Sequence, residues 1–145
     1  MVIADFYNKE IFLDTAPLIY FIEGHSPYED SLKRIFEANN NFNFTFITST
    51  ITLLEVLVKP LKEGELNLAE RYQDILTKAQ SIEIFDVTNS ISVKAAELRA
   101  KYNLRTPDAI QVATAIENNA AYFFTNDMRL KSIVEVKIAV LSEFK

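Results

Sequence analysis

Cysteine is absent from this chain of 145 residues. That absence excludes disulfides, thiolate catalysis and cysteine–zinc sites together, and suits a reducing cytoplasm. Glycine occurs only at Gly24 and Gly64. Neither stands in G-x-x-x-x-G-K-[ST] or G-x-G-x-x-G, so P-loop and dinucleotide-binding loops are excluded, and any phosphate chemistry falls to side chains or a metal. No apolar run approaches the roughly 20 residues of a membrane helix. The N-terminal stretch MVIADFYNKEIFLD carries acids inside its first apolar segment and lacks a small-residue cleavage site, so it reads as neither signal nor transit peptide. A soluble, cytoplasmic protein with no membrane contact is expected.

What is present fits one globular domain over residues 1–145: hydrophobic residues make up 49% and charged residues 24%, and a chain of this length buries roughly two-thirds of its unfolded surface. The net charge of −5 argues against a general nucleic-acid coat protein, whose footprint is basic. It leaves room for acids gathered around a metal, and their places along the chain decide between the two readings.

Ile11-Phe12-Leu13 is a short apolar run closed by Asp14, as a buried strand requires. Helical spacing follows over Ala16–Glu23, ending at Gly24, and again over Tyr28–Ala38. Phe42, Phe44 and Phe46 alternate with polar residues, which predicts a strand. Ser49 or Thr50 caps a helix through Leu53, Leu54 and Leu57 that stops near Pro60. Leu66–Ala79 is amphipathic, Ile82–Val87 reads as a strand, and Asn89 or Ser90 opens a further helix. Thr106-Pro107-Asp108 predicts a helix start with a hydroxyl cap, proline first and an acid in the first turn. Ala121–Phe124 and Val136–Leu141 complete the strands, with a short helix after Asp127. Strands alternating with helices predict a central, mainly parallel sheet covered on both faces.

Ligands of open α/β sheets bind outside the carboxyl ends of the strands. Asp14 and Asp127 follow predicted strands, Asp108 opens a helix, and Glu55 lies about one turn into another, so all four acids can meet at one edge. Two like charges about 4 Å apart repel by about 4 kcal/mol at an effective dielectric of about 20, so the cluster must take up protons or a cation. An all-oxygen set suits Mg²⁺ or Mn²⁺, which activates water and neutralises phosphoryl charge. Each acid also has an ordinary explanation. Asp14, Asp108 and Asp127 suit helix N-termini, and Glu55 is spaced to pair with Lys59. The case rests on the set.

Ile11-Phe12-Leu13-Asp14-Thr15, Glu55 within Ile51-Thr52-Leu53-Leu54-Glu55, Leu104-Arg105-Thr106-Pro107-Asp108-Ala109 and Thr125-Asn126-Asp127 together resemble the PIN-domain ribonucleases, and more narrowly the VapC-type toxins of toxin–antitoxin pairs. Ile19–His25 is similar to the family's segment after the first acid. The resemblance implies a PIN-like three-layer α/β/α domain. It makes Asp14, Glu55, Asp108 and Asp127 the catalytic, metal-binding acids for Mg²⁺ or Mn²⁺, supported by Thr15 and by Thr125 or Asn126. It further implies endonucleolytic hydrolysis of RNA by a metal-activated water, leaving a 5′-phosphate, together with homodimerisation and inhibition by a small antitoxin. Arg105 and Arg129 flank two of the acids and are candidate RNA contacts, or simply solvated cations at helix ends.

The only histidine, His25, falls in an expected surface loop, and a histidine-pair mechanism through the 2′-hydroxyl lacks its second member. Tyr20, Phe21, Phe42, Phe44, Phe46, Phe123 and Phe124 read as core rather than as a base-stacking platform. A haloacid-dehalogenase-type phosphatase wants a second acid two positions after Asp14, where Ala16 stands. A receiver domain wants paired acids at that strand end and a lysine after its last strand. The remaining alternative is a catalytically silent PIN fold that binds RNA or protein.

Overall fold

Ile11, Phe12 and Leu13 have no solvent exposure, which is the signature of a strand covered on both faces. In the computed structural model, which describes residues 1–24 and 27–145, they belong to β1 (Glu10–Leu13) at the middle of the sheet. The expectation for His25 lies outside the described residues. After a 3₁₀ turn at Ile3–Phe6 and β1 come α1 (Thr15–Glu23), α2 (Glu29–Asn40), β2 (Thr45–Ser49), α3 (Thr50–Lys62), α4 (Leu66–Lys78) and β3 (Ile82–Phe85). The second half contains α5 (Asn89–Lys101), α6 (Thr106–Glu117), β4 (Tyr122–Thr125), a 3₁₀ turn at Met128–Ser132, β5 (Lys137–Val140) and a 3₁₀ turn at Leu141–Glu143.

The five strands run in the order β3-β2-β1-β4-β5, and every neighbouring pair is parallel. Alternate side chains along each strand enter opposite layers. Ile11 and Leu13 of β1, with Phe46 and Phe124, pack among Leu18 and Ile22 of α1, Leu32 and Ile35 of α2, and Tyr72 and Leu76 of α4. Phe12, Ile47 and Phe123 face Ile91 and Leu98 of α5 and Ala109 and Val112 of α6. Phe12 and Phe123 are paired across β1 and β4, and their rings stack 5.0 Å apart. The result is the expected three-layer α/β/α arrangement.

Four local expectations are revised. The strand expected from Phe42 begins only at Thr45. Phe42 has φ 60° and is 64% exposed, because α2 is closed by Phe42 N–H to Asn39 C=O (2.9 Å) and Asn43 N–H to Ala38 C=O (3.0 Å). Two-residue alternation therefore overran a turn. Thr106 does not cap α6; Arg105 occupies that position without a side-chain capping bond to the helix backbone, and the Thr106 hydroxyl accepts from Arg99 Nη1 at 3.0 Å. Thr88 rather than Asn89 or Ser90 caps α5, through Ile91 N–H. The helix ending near Pro60 continues to Lys62 and closes with Glu65 N–H on Pro60 C=O (2.8 Å); so late in a helix, proline removes only one intrahelical bond.

Strand order sets the position of the site. The chain steps outward from β1 through β2 to β3, then resumes on the other side of β1 with β4 and β5. Beyond the carboxyl ends of β1 and β4 the two directions diverge, and such a switch point opens a crevice.

Candidate active site

Asp14 leaves β1 at this crevice and caps α1, accepting from Thr15 N–H at 2.9 Å through Oδ1. Its Oδ2 accepts from Thr125 Oγ1, at the end of β4, at 2.8 Å. Burial pushes the Asp14 carboxyl up to about 6; the bonds from Thr125 and Thr15 pull it back, and the charges of Asp108 and Glu55 add to the rise. Desolvation thus outweighs two favourable hydrogen bonds, leaving a carboxylate short of positive charge.

Glu55 arrives on α3, which begins straight after β2. It does not rely on Lys59; it accepts from Thr15 Oγ1 at 2.7 Å. Thr15 therefore bridges the site, its backbone holding Asp14 and its hydroxyl holding Glu55. Asp108 lies in the first turn of α6, with Arg105 Nε donating to Oδ2 at 3.1 Å. Asp127 follows β4 and caps the 3₁₀ turn. Arg129 donates to it twice from the guanidinium, Nε to Oδ1 at 3.0 Å and Nη2 to Oδ2 at 2.8 Å. That fork holds the Asp127 carboxyl below the usual carboxylate range, against the opposing effect of desolvation.

All four acids, with Thr15, Thr125, Asn126 and Arg105, line one cavity of about 350 Å³. Asn126 Nδ2 donates to the Tyr20 hydroxyl at 3.4 Å. Tyr20, read from sequence as core, thus also forms a wall of this cavity while packing against the layer beneath. Arg105 and Arg129 are largely exposed, as solvated cations are, and each is also bonded to an acid.

The family model of the PIN domain matches residues 11–136. The chain belongs to the PIN-domain family. In solved structures this PIN domain is similar to a VapBC2 complex from Rickettsia felis bound to a promoter DNA fragment, with TM-score 0.73 and 23% identity over 90% of this chain and 98% of that one. It is also similar to a toxin–antitoxin complex from Klebsiella pneumoniae, with TM-score 0.69 and 24% identity over 91% and 97%. A third is VapC20 from Mycobacterium tuberculosis, described as a sarcin–ricin-loop-cleaving toxin, with TM-score 0.69 and 18% identity over 88% and 98%. At these identities the likeness carries the fold. No curated protein matches the chain in sequence.

The donor set of this PIN domain suits a hard cation, since it is all oxygen and includes a buried carboxylate without a cationic partner. Its arrangement is not yet closed around one, however. Among the described residues no three acidic or histidine side chains form a group able to hold an ion, and two of the four acids are occupied by arginines.

Sequence reasoning missed a buried polar network behind the cavity. Thr48 donates to Leu13 C=O at 2.8 Å and accepts from the Thr52 hydroxyl, also at 2.8 Å. Gln111 Nε2 donates to Thr52 Oγ1 at 2.6 Å, and Ser49 Oγ donates to Gln111 Oε1. Thr52 lies one turn before Glu55, and Gln111 one turn after Asp108. The network therefore ties α3 to α6 beneath their two acids. A fully buried glutamine inside the otherwise apolar run of α6 was the available signal.

Proposed function

We propose that this PIN domain is a Mg²⁺- or Mn²⁺-dependent endoribonuclease, the toxin of a VapBC-type pair. The observation that carries the reading is the meeting of Asp14, Glu55, Asp108 and Asp127 in one cavity at the switch point of the sheet. A scaffold gains nothing from driving Asp14 to a proton affinity about a hundredfold above normal, whereas a cation site does. Asp14, Glu55, Asp108 and Asp127 would hold the ion. When bound, it lowers the pKa of water and neutralises charge on a phosphoryl group. Thr15 and Thr125 orient the donors: Thr125 fixes Asp14 through Oδ2, and Thr15 fixes Asp14 and Glu55 together. Partial burial shields these hydrogen bonds from bulk water, and Arg105, on the cavity lining, is placed to meet an RNA phosphate.

Among the described residues no helix is long and apolar enough to cross a membrane. The reading has residues 1–145 as one cytoplasmic domain, working as a homodimer and restrained by a small antitoxin; the resemblance to toxin–antitoxin complexes supports that partner. The silent-module alternative draws on one observation, the neutralisation of Asp108 and Asp127 by arginines. Incubation with structured RNAs in Mg²⁺, Mn²⁺ or EDTA separates the two. Cleavage is expected only with the divalent ion and is lost in Asp14→Asn and Asp108→Asn. Cleavage surviving EDTA or both substitutions would remove the mechanism, and RNA binding without cleavage under any divalent ion selects the module.

A further inference from the structure

Arg129 holds both carboxylate oxygens of Asp127, and Arg105 holds one of the two on Asp108, its Oδ2. The cations sit outermost. The side chains of Arg105 and Arg129 are 75% and 79% exposed, against 20% and 27% for their acids. A second cavity of about 230 Å³ adjoins the first: both are lined by Arg105, Asp108 and Asp127, and the second adds Arg129, Tyr102 and Asn103. Arg99 fixes the loop between them, donating to Leu104 C=O at 2.9 Å and Thr106 Oγ1 at 3.0 Å. Arg105 thus stands on the wall shared by the two cavities, and Arg129 lines the second one, whose other charged lining residues are the two acids these arginines hold.

We propose that Arg105 and Arg129 are exchangeable counter-ions: they neutralise Asp108 and Asp127 until a divalent cation takes those carboxylates, and then bind an RNA phosphate in the adjoining cavity. This rests on the nuclease reading and adds to it a phosphate subsite and a coupling. A carboxylate oxygen facing a guanidinium is not open to an ion on the same side, and a guanidinium forked onto a carboxylate cannot fork onto a phosphate. Each ligand therefore frees the group that the other requires. By linkage, the factor by which a nucleotide phosphate tightens cation binding equals the factor by which the cation tightens the phosphate. The arrangement also answers how a protein of net charge −5 receives a polyanion beside four acids. Positive charge is stored at the site and released only when the ion arrives.

The test is Mn²⁺ binding followed by electron paramagnetic resonance of the free ion. It is run with and without adenosine 3′,5′-bisphosphate, which carries the two phosphates of one nucleotide and no diester bond to cut; the probe's own uptake of Mn²⁺ is measured separately. Wild-type protein is compared with Arg129→Met, with Arg105→Met/Arg129→Met and with Arg34→Met, which removes the same charge from α2, away from both cavities. An exposed ion pair changes an equilibrium by up to about fivefold, so Arg129→Met should bind Mn²⁺ about threefold to fivefold more tightly than Arg34→Met without the probe. The bisphosphate should tighten Mn²⁺ binding several-fold in wild type and hardly at all in the double variant. Mn²⁺ bound equally by Arg129→Met and Arg34→Met, or coupling that persists in the double variant, overturns the exchange and leaves the nuclease reading intact. No Mn²⁺ uptake by any variant removes both. Uptake by the double variant alone supports the exchange and makes the arginines a block that RNA must lift.

Discussion

Replacing Asp14 by asparagine should make the ion-free protein more stable while destroying its site. Burial raises the Asp14 carboxyl from 3.8 to about 6. At about 1.4 kcal/mol for each tenfold change in proton affinity, keeping it ionised above that range costs the native state about 3 kcal/mol. The sign follows from the order of deprotonation. On raising the pH the unfolded chain releases this proton first, so the contribution of Asp14 to stability is fully present below 3.8 and is lost as the pH climbs through about 6. A neutral amide of the same shape avoids that cost. It still accepts from Thr15 N–H, but it must donate to Thr125 Oγ where the carboxylate accepted, a rearrangement worth about 1 kcal/mol. Asp14→Asn should therefore gain about 2 kcal/mol in urea unfolding at about pH 7.5 with EDTA present, or roughly 6 °C in Tm for a chain of this size. At about pH 4, where the native carboxyl is itself neutral and the cost of its charge has fallen to about 0.5 kcal/mol, the gain should vanish and the variant should be about 0.5 kcal/mol less stable than wild type. Equal urea m-values are needed for the comparison. A variant less stable than wild type at the higher pH, or an advantage independent of pH, refutes the account of Asp14 as a desolvated carboxylate awaiting a cation.

Two further substitutions probe the groups around it. Thr125→Val removes the donor to Asp14 Oδ2 and the acceptor for Asp127 N–H, at 2.8 and 3.1 Å. A carboxyl-carbon NMR titration should show Asp14 ionising above about 6, with a stability loss of about 1–3 kcal/mol; an unmoved titration would show that the hydroxyl does not hold the acid. Gln111→Leu removes the acceptor for Ser49 Oγ and a donor to Thr52 Oγ1 and should also cost about 1–3 kcal/mol. In a double-mutant cycle with Thr52→Val the two losses should fall short of additivity by at least about 0.5 kcal/mol, and simple additivity would dissolve the bond between α3 and α6.

The alternation of strands and helices was legible because an all-parallel sheet with two covered faces needs unbroken apolar strands, and Ile11–Leu13 and Ala121–Phe124 supply them. It failed at Phe42, where a left-handed turn interrupts residues whose spacing alone suits a strand. The meeting of Asp14, Glu55 and Asp127 was legible for a topological reason: residues following β1, β2 and β4 of a doubly wound sheet share one end, whatever their separation in sequence; Asp108, at the start of a helix that precedes β4, was placed by its position in the first turn of α6. Their electrostatic state was not. Asp14 and Asp127 follow strands in the same way, yet one is driven up by burial and the other down by Arg129, and only the three-dimensional surroundings separate them. Arg105 and Asp108 stand three apart on paper, but whether a guanidinium turns to its neighbour or to solvent depends on the loop that Arg99 holds. The Ser49–Gln111–Thr52 network joins residues about sixty positions apart, beyond any local pattern.

The bond from Thr125 to Asp14 spans 111 residues. During synthesis β1 emerges first, but one of its two neighbours, β4, is among the last elements made, and Thr125 and Asp127 are made with it and after it. Parallel pairing over such distances is slow, so Asp14 spends most of the chain's synthesis without the hydroxyl that orients it or the acid that faces it. On the proposed nuclease reading, a chain assembled in this order is inert on the ribosome until β4 inserts beside β1. A chain broken off between α6 and that strand carries Asp14, Glu55 and even Asp108 but lacks Thr125 and Asp127.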